Sequence, residues 1–179
     1  MGSATWFRYV NLAMFTLMTL SPLGCSSATA SGPPLVREVV DGDTIVVRIA
    51  GIDETVRLLG VDTPETSDPS RPVQCFGAEA TQFVQAILPA GTPVYLERDV
   101  EARDRYGRLL AYVFVDADRT FVNATIIEEG FGDLSIYEPN SAYRATLVAA
   151  RTAAVTQQRG LWGACGGPDV AIDPPLPRG

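Results

Sequence analysis

The sequence predicts a mainly β, α+β domain: a five-stranded OB-fold β-barrel with three helices. Two observations carry that expectation. Three β-branched runs separated by tight turn signals come first, between Val36 and Val61. The apolar spacing then turns helical, returns to two strand-like runs, and ends in two helical segments. Five strands with a helix inserted after the third is the order of an OB-fold barrel. A chain of 179 residues suits one such domain.

Each element has its own local reason. Val36 to Asp41 is a strand that ends at the turn pair Asp41-Gly42. Thr44 to Ala50 is a second strand, Gly51 to Glu54 a turn, and Thr55 to Val61 a third strand. Asp62 to Pro72 carries three prolines and reads as a loop. Ala80, Phe83, Val84, Ile87 and Leu88 recur at helical spacing, so Phe76 to Leu88 is a helix ended by Pro89. Thr92 to Arg98 and Arg108 to Asp116 are strands joined through the turn Asp104-Arg105-Tyr106-Gly107. Phe121 to Glu129 is a short helix stopped by Gly130. Ser141 to Arg159 is a longer one, with Asn140 or Ser141 as N-cap and Gly160 as stop. The domain thus spans residues 35–165, and a Pro-rich tail over 166–179 is expected to be disordered.

The first 25 residues read as a leader rather than as fold. Arg8 and the amino terminus precede an apolar run from Val10 to Leu20, too short to span a membrane. Two processing readings stay open. Leu23-Gly24-Cys25 resembles a lipoprotein box in which Cys25 is acylated, although Pro22 is unusual there; Ala28-Thr29-Ala30 is an ordinary signal-peptidase site. Residues 26–34 form a small, polar tether. An uncleaved anchor is the remaining alternative; under either cleavage reading the expectation is export, as a secreted protein or a cell-surface lipoprotein whose membrane contact is the lipid on Cys25. An even pair, Cys75 and Cys165, then reads as a disulfide rather than two separate buried thiols.

Composition removes whole classes of chemistry. The chain has no His and no Lys, 14 Arg, and a net charge of −7. There is no His general base, no His-containing triad or zinc site, and no Schiff-base lysine. The acidic balance argues against holding nucleic acid by bulk electrostatics. Losing Arg8 with the leader only makes the balance more negative.

Charge is nevertheless concentrated at three turns: Asp41-Gly42-Asp43-Thr44, Arg57 through Glu65, and Asp104 to Arg108. On a strand, Arg57 shares a face with Leu59 and Val61. A guanidinium on an apolar face needs a partner, or a polar pocket at the strand end. Asp62 and Glu65 lie just past that end. A structural ion pair explains Arg57 taken alone, and a turn explains Asp43 taken alone. Together the segments hold two Asp and backbone carbonyls suited to a hard cation, two Arg able to fork onto phosphate oxygens, and one Glu able to take a proton from water. Those are the parts for hydrolysing a phosphodiester.

At this point the chain resembles the thermonuclease, or staphylococcal-nuclease-like, family. The strings that carry the resemblance are VVDGDTIVV (39–47), VRLLGVDTPET (56–66), CFGAEAT (75–81), RDRYGRLLAYVFV (103–115), VNATIIEEGFG (122–132) and YEPN (137–140). They come in family order over about Leu35 to Trp162. DGDT alone is a weak signal; RLLGVDTPE followed by DRYGR is a specific one.

The resemblance implies roles. Asp43 and Asp62 would ligate Ca²⁺ by carboxylate and Thr63 by its carbonyl. Glu65 would be the general base or would orient the attacking water. Arg57 and Arg108 would clamp the scissile phosphate. Arg105, Tyr106 and Tyr137 would contact the neighbouring nucleotide. The implied activity is endonucleolytic cleavage of DNA and RNA by a monomer, with preference for single-stranded or breathing regions and 3′-phosphate products. Two positions depart from the family pattern: Arg105 stands in place of Lys, and Ser135 in place of an aromatic residue. Losing a stacking wall would weaken nucleotide binding, since stacking contributes about 1–3 kcal/mol per base. Cys75 ends the loop after Glu65, so its bond to Cys165 would tie the loop base to the C-terminal tail. The competing readings are an OB-type binding module that kept the fold without activity, and a structural surface lipoprotein. Five co-occurring groups, Asp43, Arg57, Asp62, Glu65 and Arg108, favour the enzyme.

Overall fold

A computed structural model describes residues 32–66 and 72–172. The expected leader, Cys25, most of the tether, residues 67–71 of the loop after Glu65 and residues 173–179 lie outside the described residues.

Strands β1 (Leu35–Val39), β2 (Thr44–Ile49) and β3 (Ile52–Leu58) form the expected antiparallel meander. The β2–β3 turn is tighter than the expected Gly51–Glu54. Ala50 and Gly51 both take positive φ, 50° and 86°, so the reversal needs only two residues. Ile52 pairs with Ile49 at once, and β3 starts there rather than at Thr55.

The third strand also ends early. β3 stops at Leu58, and the chain resumes as β4 (Gly60–Asp62), which pairs with β8 (Asp133–Ser135) instead. Gly60 makes the break. It has φ 78°, and a Cβ there would lie 2.3 Å from Leu147 Cδ1. Leu58, Leu59 and Val61 are consequently all buried, so the simple alternation expected through Val61 does not hold. Gly60→Ala is expected to lower the unfolding free energy by about 2–4 kcal/mol, from left-handed backbone strain plus overpacking. A denaturant melt checks it, and an unchanged midpoint would refute the account.

Beyond the break, β6 (Leu109–Val115) runs parallel to β3 and antiparallel to β5 (Tyr95–Glu97) and to the two-residue β7 (Thr120–Phe121). The strand path is β1-β2-β3-β6-β5, with β7 beside β6. The sequence predicts a closed five-stranded barrel. Among the described residues no strand ladder joins β1 to β5; the two edges meet through the segment before β5. Leu35 bridges Pro93, Val36 N–H donates to the Thr92 carbonyl, and Val94 N–H donates to the Pro34 carbonyl. Pairing of Thr92–Pro93 with β1 leaves β5 shorter than the expected Thr92–Arg98.

Three helices of two turns or more cover the sheet: α1 (Gly77–Ile87), α2 (Val122–Glu128) and α3 (Arg144–Thr156). The predicted stripe on α1 is the inward one: Ala80, Val84 and Leu88 are fully buried, and Phe83 stacks on Phe131 with ring centroids 4.0 Å apart. Helix α3 is shorter than the expected Ser141–Arg159, and neither Asn140 nor Ser141 caps it. Asn140 is buried and accepts the Glu101 N–H at 2.8 Å instead. A one-turn helix, α4 (Leu161–Ala164), follows Gly160; α4, β7 and β8 are too short to carry a periodic signal.

Cys75 and Cys165 form a disulfide with Cα atoms 6.1 Å apart. It closes a loop whose ends are 90 residues apart in sequence, worth about 4–5 kcal/mol as an upper figure in the chain-entropy model. The tail just past it belongs to the fold, where the sequence predicts disorder. Cys75 N–H donates to the Val170 carbonyl at 2.7 Å, and Ile172 N–H donates to the Val73 carbonyl at 3.0 Å. The disulfide and these two bonds hold the segment as far as Ile172.

Candidate active site

The β2–β3 register places Thr44 opposite Arg57, so Asp43 enters β2 beside the guanidinium. Arg57 is largely buried. Its Nη1 lies 3.0 Å from Asp43 Oδ1 and donates to the Val61 carbonyl at 2.7 Å. Its Nη2 lies 3.2 Å from Asp62 Oδ1. The ion pair and the polar pocket are therefore one arrangement: Arg57 sits where β3 breaks and bridges two carboxylates.

Asp43 is a buried anchor, not just a turn residue. Its Oδ1 accepts the Thr44 hydroxyl at 2.9 Å, and its Oδ2 accepts the Thr63 N–H at 3.1 Å and the Thr63 hydroxyl at 3.3 Å. Burial pushes its pKa up to about 6, and nearby Asp41 adds to the rise; Arg57 and the bonds from Thr63 and Thr44 oppose it. A raised value in the fold means that ionised Asp43 costs stability. That cost is absent below the ordinary value of 3.8 and present in full above about 6.

The segment Asp104–Arg108 is organised by Asp104. Its Oδ1 accepts the N–H groups of Tyr106 and Arg108, both at 2.9 Å, and its Oδ2 accepts Arg108 Nε at 2.7 Å. Burial works to raise the Asp104 pKa, but these bonds outweigh it and the carboxyl titrates below its ordinary range. Arg103 forks onto Glu54 of β3 with two bonds of 2.8 Å, fixing this turn against the strand that carries Arg57. The guanidinium carbons of Arg105 and Arg108 lie 4.7 and 5.5 Å from the Tyr106 ring centroid.

A polar cleft of about 410 Å³ collects these groups: Asp43, Arg57, Asp62, Thr63, Glu65, Tyr106, Arg108 and Tyr137 all line it. A neighbouring hollow of about 770 Å³ shares Arg57, Tyr106, Arg108 and Tyr137 and adds Arg105 and Ser135. Tyr106 and Tyr137 are 68% exposed, a low cost for stacking on a ligand. Of the residues expected to act, Arg105 alone lines only the second hollow, and Cys75 and Cys165 line neither. Asp41, Gln74, Asp104 and Asp169 carry weight that the sequence reading assigns to none of them. Asp41 and Asp104 stand inside strings already singled out. Gln74 and Asp169 have no local signal.

The donor set suits a divalent cation. Asp43 and Asp62 supply hard carboxylate oxygens and Thr63 a carbonyl. A carboxylate that burial has pushed to about 6 gains most from a positive ligand. Among the described residues no three acidic side chains close on one point, so substrate and water would complete the coordination. If a divalent cation such as Ca²⁺ binds ionised Asp43, its affinity is expected to fall about tenfold from about pH 7 to about pH 5, where the carboxyl is protonated. Calorimetric titration at the two pH values checks this, and equal affinities would exclude Asp43 as a ligand.

Comparison with known proteins finds relatives over most of the chain. A family model described as staphylococcal nuclease homologue matches residues 55–164. The chain is 44% identical over 128 residues to a thermonuclease of Staphylococcus intermedius, covering 72% of this chain and 74% of the relative. It is 37% identical over 139 residues to a thermonuclease of Staphylococcus hyicus, covering 78% and 80%. It is also 44% identical over 106 residues to the endonuclease YncB of Bacillus subtilis strain 168, covering 58% of this chain and 49% of that one.

Proposed function

The chain belongs to the staphylococcal nuclease homologue family and is a nuclease, a phosphodiester hydrolase; from that premise we propose that it is an exported, Ca²⁺-dependent endonuclease that cleaves DNA and RNA to 3′-phosphate ends. The observation that carries the reading is the convergence of Asp43, Arg57, Asp62, Glu65 and Arg108 on one cleft. We also read the strand path, with its edges drawn together at Leu35 and Pro93, as an OB-type barrel.

In this mechanism Arg57 and Arg108 hold the scissile phosphate through paired N–H groups and offset the charge that builds on its oxygens. Glu65 takes a proton from the attacking water, whose oxygen bonds to phosphorus as the bond to the 5′ oxygen breaks, and that oxygen leaves as the 5′-hydroxyl with a proton from solvent. The phosphate then stays on the 3′ side. Asp43, Asp62 and the Thr63 carbonyl would hold Ca²⁺, which when bound supplies Lewis-acid polarisation of a phosphoryl oxygen. Tyr106 and Tyr137 offer ring faces to the neighbouring nucleotide, which favours unpaired strands. Ser135 offers no such face.

Export follows from the leader, and the Cys75–Cys165 bond supports an oxidising compartment. Cys25 is the proposed acyl site should the lipoprotein route be used, and the protein acts as a monomer. The net charge of −7 predicts weak substrate binding with a shallow salt dependence, because positive charge is local to the cleft. The purified protein is expected to cut single-stranded DNA with Ca²⁺ and to lose that activity in chelator. Equal cleavage in both would exclude the metal, and 5′-phosphate ends would exclude the bond assignment.

A further inference from the structure

Gln74 stands outside the reacting groups, yet it fixes where Glu65 sits. Its side chain is buried. Gln74 Oε1 accepts the Glu65 N–H at 2.6 Å, and the Gln74 N–H donates to the Glu65 carbonyl at 2.8 Å. Both backbone polar groups of Glu65 therefore close on one residue. Gln74 Nε2 in turn donates to Asp169 Oδ1 at 2.9 Å, and both residues line the cleft. Asp169 comes from the C-terminal segment, pinned by the disulfide and by the backbone bonds at Val73 and Cys75. Helix α1 closes the other side: a Cβ on Gly77 would lie 2.9 Å from the Pro64 carbonyl oxygen.

We infer that Gln74, braced by Asp169 of the disulfide-pinned C-terminal segment, is a positioning residue for Glu65. An amide suits this place because it accepts on one atom and donates from the other. An apolar side chain would leave the Glu65 N–H without that acceptor. A carboxylate would face Asp169 oxygen to oxygen. Glu65 does its chemistry at the phosphate, where a displacement of about 1 Å can cost roughly 100-fold in rate. The inference rests on Glu65 as the base proposed above, so its test separates the two.

The test measures kcat and KM of the full chain carrying Gln74→Leu, Glu65→Gln, both together, Gln74→Glu, and the exchanged pair Gln74→Glu/Asp169→Asn. Gln74→Leu is expected to lower kcat roughly 10- to 100-fold with KM little changed, and to have no further effect in the Glu65→Gln background. The exchanged pair is expected to recover rate over Gln74→Glu alone, because the new carboxylate accepts from both the Glu65 N–H and the new amide. The inference falls if Gln74→Leu leaves kcat unchanged, or slows the Glu65→Gln protein by the same factor. It falls equally if the exchanged pair is no faster than Gln74→Glu, a comparison that stands even if Gln74→Leu fails to fold. A Glu65→Gln protein as fast as the parent removes the base assignment itself, and the positioning role with it.

Discussion

Glu65→Gln is expected to lower kcat about 10²- to 10⁴-fold, the usual weight of a general base, while KM and thermal stability stay close to the parent. The substitution targets the chemistry and keeps the backbone contacts of this position. Glu65 is held through its backbone by Gln74, and its Oε1 accepts the Thr66 N–H at 2.9 Å, a bond that the amide oxygen of Gln can also accept. What is lost is the capacity to take a proton from water. The chain has no His to take over that role. A Glu65→Gln rate close to the parent's would mean that another group is the base. Arg57→Ala gives a less direct answer. It would also leave Asp43 buried without its cation, so fold and catalysis would change together.

The second large effect is on stability. Asn123→Ala is expected to lower the unfolding free energy by about 3–5 kcal/mol, read from urea denaturation. Asn123 is fully buried. It accepts the Val113 N–H on Oδ1 at 2.8 Å and donates from Nδ2 to the Leu59 carbonyl at 2.9 Å. Leu59 is the residue between β3 and β4, where a ladder cannot supply that partner. Alanine would strand both groups in the core. Asn123→Asp keeps the acceptor but turns the donor toward Leu59 into a second acceptor, so it should be at least as damaging. Wild-type stability in Asn123→Ala would mean that the break is held by packing alone. Because Arg57 and Asp62 flank the break, a milder loss at Asn123 should also appear as weaker activity.

Much of this site is legible along the chain because its reacting groups come in short strings. Asp41 to Thr44, Arg57 to Glu65 and Asp104 to Arg108 each put charge beside a turn, and turn chemistry is local. What holds those strings together is not local. Asp43 meets Thr63 across 20 residues and Gln74 meets Asp169 across 95. No periodicity or turn rule reports either pairing. Gln74 and Asp169 are ordinary polar residues until the fold brings them together.

The sequence by itself determined the order of the five main strands and three longer helices, the inward stripe of α1, the loss of His and Lys chemistry, and which charged residues were candidates to act on a phosphate. Those follow from backbone sterics, side-chain spacing and functional-group inventory, all of which operate over a few residues. The tertiary structure alone decided that β3 breaks at Gly60, that Arg57 bridges Asp43 and Asp62, and that Asp169 returns to meet Gln74 beside Glu65. It decided these because burial, charge pairing and hydrogen-bond satisfaction depend on which groups are neighbours in space.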